Sequence, residues 1–160
     1  SIEVDVVKKS SKYKECKELI NWVLESEHVN QYNEIKKHKS FYNECLNHKK
    51  LLKKLLVTLK KQNKKVVGYG ASTKGNVLLQ FCGINSKIIN NIAEVNKYKF
   101  NRYTPGSKIK IVSEKSVKLK KPDYMLVLPW HFKDYIVKRE RDFLKNGGKL
   151  IFPLPEIEIV

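Results

Sequence analysis

The spacing of apolar residues changes near the middle of the chain, from a helical period to short strand-like runs. Between Tyr13 and about Glu27, the residues Cys16, Leu19, Ile20, Val23 and Leu24 recur at helical intervals and predict an amphipathic helix. Ser10 and Ser11 stand before it as capping candidates. His28 to Lys39 is polar apart from Val29, Tyr32 and Ile35, and reads as a further helical turn or an exposed connection. From Ser40 the period returns: Phe41, Cys45, Leu51, Leu52, Leu55, Leu56 and Leu59 form one stripe, lysines fill the other face, and Gln62-Asn63 ends it. Such a stripe is expected to pack on a core. Ahead of all this, Ser1 to Val7 alternates apolar and polar residues like a strand.

Beyond Lys64 the apolar runs shorten. Strands are expected at Lys65–Tyr69, Ile88–Val95, Ile109–Val112, Tyr124–Leu128 and Leu150–Phe152. Helices are expected at Lys74–Cys82, closed by Gly83, and from Phe132 to Lys145, closed by Gly147-Gly148; Ser113-Glu114 can open a short one. The run Tyr124–Leu128 is apolar throughout, as in parallel strands covered on both faces. Pro153 and Pro155 are expected to forbid regular pairing after the fifth strand. The expected fold is therefore α/β: a Rossmann-like, open, mostly parallel five-stranded sheet with flanking helices, preceded by an N-terminal helical segment. Residues 10–63 form that segment, packed on the sheet that follows, and residues 64–160 the Rossmann-like part.

Charge narrows the choice of partner only a little. The 160 residues carry a formal charge of +17, from 33 basic and 16 acidic side chains. Such a balance attracts nucleic acid, anionic membranes or small anions. The lysines are spread along the chain, however, and arginine occurs only at Arg102, Arg139 and Arg141, so a nucleic-acid footprint is not indicated. No apolar run approaches the ~18–20 residues of a membrane span. Cys16, Cys45 and Cys82 lie far apart, and His28, His38, His48 and His131 form no ligand pair at metal spacing, so reduced thiols in a cytoplasmic protein are expected and no metal site.

The chemistry gathers around Gly68-Tyr69-Gly70-Ala71-Ser72-Thr73-Lys74-Gly75-Asn76, a strand, tight turn and helix start. In a doubly wound fold this turn aims helix N–H groups at a bound anion, and glycine lets a phosphate approach the backbone. The spacing is Gly-x-Gly-x-x-x-x-Gly; Thr73 stands where a dinucleotide fingerprint has its third glycine, and Asn76-Val77 replaces the Lys-Ser/Thr of a P-loop. A turn that merely lets strand and helix pack is the alternative. Lys74 would add a cation for a diphosphate, or be a surface lysine. Glu94, ending the second strand, would accept ribose hydroxyls, or be a solvated strand end. Trp130 could stack on a base or sugar and His131 donate to a hydroxyl or phosphate; otherwise Trp130 is core and His131 a helix cap. No nucleophile stands beside a base, and no carboxylate pair is expected in the cleft.

Five stretches in series complete the picture: Gly68 to Leu79, Glu94-Val95-Asn96-Lys97-Tyr98-Lys99, Arg102-Tyr103-Thr104-Pro105-Gly106, Leu128-Pro129-Trp130-His131-Phe132, and Gly147 to Pro155. Together they resemble the C-terminal domain of the S-adenosylmethionine-dependent nucleotide-sugar C-methyltransferases, over roughly Glu15 to Val160. The resemblance implies a domain that binds a nucleoside-diphosphate sugar and positions it for methyl transfer, through Gly68, Tyr69, Gly70, Ser72, Lys74, Gly75, Glu94, Tyr103, Trp130 and His131. It implies that Ser1 to Val7 is the last strand of an upstream methyltransferase domain of the same polypeptide, with residues 1–9 its strand and linker. S-adenosylmethionine, the zinc-binding cysteines and the catalytic His, Tyr and Glu would belong to that domain, leaving no catalytic residue and no cofactor to this chain. Three positions depart from the family pattern: Glu94 for Asp, Asn101 for Gly and His131 for Asn. Two other readings compete. One is a self-sufficient enzyme binding S-adenosylmethionine or a nicotinamide dinucleotide at the glycine turn; the other is a basic nucleic-acid module.

Overall fold

The computed structural model describes residues 3–160, in two compact units, Ser1–Glu44 and Cys45–Val160. In the first, helix α1 spans Lys17–Val29, and none of its side chains is buried. It starts later than its apolar period suggests: Ser11 Oγ accepts the Tyr13 amide in a local turn, and Cys16 offers no side-chain cap. The alternation at the start does not give a strand over Glu3–Val7, because a strand needs a neighbour for its backbone groups and none pairs there; Ser1 and Ile2 lie outside the described residues. Helix α2, Ile35–Lys61, begins five residues before the pattern from Ser40 and continues into the second unit.

The second unit is a six-stranded sheet in the order β3-β2-β1-β4-β5-β6, with β1 Val66–Tyr69, β2 Asn91–Glu94, β3 Lys110–Ser113, β4 Tyr124–Val127, β5 Lys149–Phe152 and β6 Glu158–Ile159. The first five are parallel and β6 runs antiparallel to β5. This is the mostly parallel Rossmann-like sheet expected, with a sixth strand added where the chain re-pairs beyond its prolines. β2 is shorter than its apolar run because Ile88 and Ile89 donate their amides to the Asn85 carbonyl in a turn.

Side-chain alternation along the strands feeds two cores. Leu126 and Leu128 face the layer of Leu52, Leu56 and Leu59 from α2 and Leu78, Leu79 and Cys82 from α3, Thr73–Cys82. Met125 and Val127 face the other layer, with Val117 from α4, Glu114–Leu119, and Ile136 from α5, Lys133–Arg139. Burying each such aliphatic side chain stabilises the fold by ~1.5–3 kcal/mol, an upper bound. The expected helix up to Lys145 is broken at Glu140, with α6 resuming at Arg141–Lys145. Among the described residues no helix is long and apolar enough to cross a membrane, and no group of His, Cys, Asp and Glu could hold a metal ion.

Candidate functional site

The strand order reverses between β1 and β4, so the loops leaving their carboxyl ends diverge to opposite faces and open a crevice. A cavity of about 580 Å³ lies there. Tyr69, Gly70, Ala71 and Ser72 form its floor after β1, and Ala93, Glu94 and Val95 one wall after β2. Pro129 and Phe132 follow β4, while Glu114, Tyr135, Ile136 and Arg139 close the other side. Phe132 and Tyr135 are 57% and 67% exposed, an aromatic pair one helical turn apart.

The glycine turn is tightly bound to its own chain. Gly70 has φ of 79°, and a Cβ there would stand 2.8 Å from Pro129, so glycine admits the β4 loop to the floor. Gly68 packs against Ile92 and Gly75 against Leu128. Ser72 caps α3 by accepting the Gly75 amide at 3.0 Å. The Gly70 amide goes to the Ala93 carbonyl and the Ser72 amide to the Gly70 carbonyl.

Glu94 is only 8% exposed and has four donors within the chain. Its Oε1 accepts the amides of Val95 at 2.8 Å and Asn96 at 3.0 Å; its Oε2 accepts the amide of Ala71 at 3.0 Å and the Lys99 ammonium at 3.4 Å. Burial pushes this carboxyl up, but the Asn96 and Val95 amides and Lys99 outweigh it and hold the group below the usual value. The solvated strand end considered from sequence is replaced by a brace between two loops. Lys99, on the single turn Lys97–Lys99, also donates to the Ala71 carbonyl at 2.8 Å.

A second buried carboxylate braces the opposite wall. Glu140, 2% exposed, accepts the Tyr69 hydroxyl at 2.8 Å and the Lys118 ammonium at 2.7 Å. Arg139 donates to the Tyr69 hydroxyl and to both oxygens of Glu114, each at 2.8 Å, and Lys118 also reaches Glu114 at 2.8 Å. Burial raises the Tyr69 hydroxyl, and the bond to Glu140 raises it further, so it stays protonated.

Of the residues singled out from sequence, Tyr69, Gly70, Ser72 and Glu94 border the cavity together. Gly68 and Gly75 do not border it and are packing positions, and Lys74 is exposed on the first turn of α3 without bordering it. Trp130 packs against both cores, which is the core alternative of its reading. His131 is exposed with its ring 4.3 Å from that of Phe132, and Tyr103 is exposed in a bridge to Lys110 at the β3 edge; neither borders the cavity. Sequence reasoning missed Lys99, Glu114, Tyr135, Arg139 and Glu140. Lys99 had a signal, five positions after Glu94 within a singled-out stretch; Glu114, Arg139 and Glu140 had none locally.

Over 97 residues, 61% of this chain, the sequence is 39% identical to the C-methyltransferase NovU of Streptomyces niveus, and the match spans 23% of that protein's length. Residues 1–155 match the family described as the C-methyltransferase C-terminal domain. The chain belongs to that family.

Proposed function

We propose that this chain binds the nucleoside-diphosphate part of a nucleotide-linked sugar in the strand-end cavity and presents the sugar to a methyl-donor domain elsewhere in a longer protein. The observation that carries this reading is the place of the cavity, at the carboxyl ends of β1 and β4 where the strand order reverses. Phe132 and Tyr135 offer faces on which a base can stack, and Lys99 offers a cation for phosphate. Catalysis by such a domain is positioning: fixing the sugar makes methyl transfer effectively intramolecular.

S-adenosylmethionine, when bound, supplies an electrophilic methyl group. The turn in this chain does not fit that cofactor or a dinucleotide, because Glu94, the acid that would take ribose hydroxyls, is occupied by four internal donors. We therefore assign the methyl donor to another domain, and to this chain only substrate binding. The three free thiols suit a reducing compartment, so we place the protein in the cytoplasm.

Titration calorimetry tests the reading. The chain is expected to bind nucleoside diphosphates saturably and to release no heat of binding with S-adenosylmethionine or NAD. Saturable binding of either cofactor, with none of nucleoside diphosphates, would replace this reading with a self-sufficient enzyme.

A further inference from the structure

We propose that Lys99 is the cation that receives the diphosphate of the ligand, in place of Lys74 at the start of α3. The assignment rests on the nucleotide-sugar reading of the cavity. Two cations border that cavity, Lys99 and Arg139. The Arg139 guanidinium is held by Tyr69 and by both oxygens of Glu114. Its fork is spent on the wall, and turning it towards a phosphate would break both bonds to Glu114 and leave that carboxylate with Lys118 alone.

Lys99 is placed differently. Of its three ammonium donors, one goes to the Ala71 carbonyl at 2.8 Å and one to Glu94 at 3.4 Å. The third has no partner among the described residues, and the side chain is 43% exposed at the cavity edge. The Ala71 carbonyl fixes the ammonium against the glycine turn, so little side-chain freedom is lost when an anion arrives. The longer contact to Glu94 is the one that can yield, because three backbone amides still satisfy that carboxylate. Among the described residues Lys74 has no such anchor, and it does not border the cavity.

The experiment titrates the 160-residue chain and its Lys99→Ala, Lys99→Arg and Lys74→Ala variants with uridine, thymidine and guanosine diphosphates and with the matching nucleosides, at one salt concentration. Lys99→Ala is expected to weaken the tightest diphosphate by roughly ten- to hundredfold, the loss of one hydrogen bond to a charged group. The matching nucleoside should change less than about twofold, since it carries no phosphate for the ammonium to meet. Lys99→Arg should keep most of the affinity, and Lys74→Ala should cost the diphosphate no more than about threefold, as for an exposed pair. Melting temperatures identify any variant that does not fold, and Lys99→Met, of similar length, then repeats the test. Unchanged diphosphate binding by Lys99→Ala, or equal losses for diphosphate and nucleoside, overturns the role of Lys99 while leaving the cavity reading intact. A wild-type chain that binds none of the nucleotides overturns both.

Discussion

Two buried glutamates brace the two sides of the cavity, and they are satisfied in opposite ways. Glu94 takes three backbone amides, two of them from the residues that follow it, and one loose lysine. Glu140 depends on side chains from distant parts of the chain, Tyr69 being 71 positions away and Lys118 on another helix. Amides are fixed by the strand ends that carry them, so the Glu94 brace is assembled as soon as β1 and β2 pair. The Glu140 brace needs three long side chains ordered together, each losing rotamer freedom. The first wall is expected to be rigid and tolerant of a lost partner, the second to stand or fall as a network.

The largest effect should come from breaking the second wall. Glu140→Ala leaves the half-exposed Lys118 ammonium with Glu114 alone and removes the acceptor of a buried hydroxyl, at a cost of roughly 2–4 kcal/mol, an unsatisfied buried donor plus a half-exposed ion pair. Urea unfolding at neutral pH measures it; a loss below about 1 kcal/mol would mean that the network adds little beyond a surface pair. The alkaline limb gives a second signature. Tyr69 is raised by burial and then by Glu140, and Lys118 is raised because Glu114 and Glu140 outweigh its burial. Groups with raised folded values contribute stability present below their unfolded values, about 10 for both, and lost as pH rises further. The wild type should lose stability above that point more steeply than Glu140→Ala.

The same contrast explains what could be read from the sequence. The glycine turn and the strand runs are local patterns and appear at or within a few residues of their expected places; of the α2 stripe Leu52, Leu56 and Leu59 are buried, whereas Phe41 and Leu51 are exposed. Glu94 was visible as the acid ending β2, but its role was not: a carboxylate at a strand end looks the same whether it faces a ribose or turns back onto Ala71. The break between α5 and α6 was invisible, because Ile136 and Phe143 fit one continuous helical period. The buried residue at the break, Glu140, contacts Tyr69 and Lys118, neither of which is near it in sequence. Arg139 and Glu114 are illegible for the same reason, while Lys99 stands far along the sequence from the glycine turn, whose own lysine, Lys74, looks like the phosphate ligand. The Ser1–Val7 alternation shows the converse failure, since a period of two does not supply a neighbouring strand.

An intermediate effect is expected from Glu94→Gln. The amide keeps one carbonyl oxygen but turns its NH₂ towards backbone donors, for a cost of about 1.5–3 kcal/mol. Because the folded Glu94 carboxyl lies below its ordinary value, its contribution is present above the unfolded value of about 4.3 and is lost as pH falls through the folded one. The gap between wild type and Glu94→Gln should therefore be full at pH 7 and narrow progressively in acid below pH ~4.3. A gap independent of pH down to about 2 would show that the carboxylate charge contributes nothing to the brace.

The smallest effect separates the two walls most cleanly, because it removes the corresponding lysine from each. In Lys99→Met the Glu94 carboxylate keeps its three amides and the Ala71 carbonyl loses its lysine donor, so stability should fall by only about 0.5–1.5 kcal/mol, as for one ordinary hydrogen bond. In Lys118→Met the Glu140 carboxylate keeps only the Tyr69 hydroxyl as a close donor, with Arg139 Nε at 3.9 Å, so the cost should be clearly larger. Paired urea midpoints of the two variants measure the difference directly. Equal losses would mean that backbone amides do not shelter Glu94, and the contrast between the walls would fail. A small loss at Lys99 also matters for the ligand: a side chain that barely stabilises the fold yet weakens diphosphate binding tenfold or more is serving the ligand. Such a ratio cannot come from a brace, because loosening a brace lowers stability and affinity together.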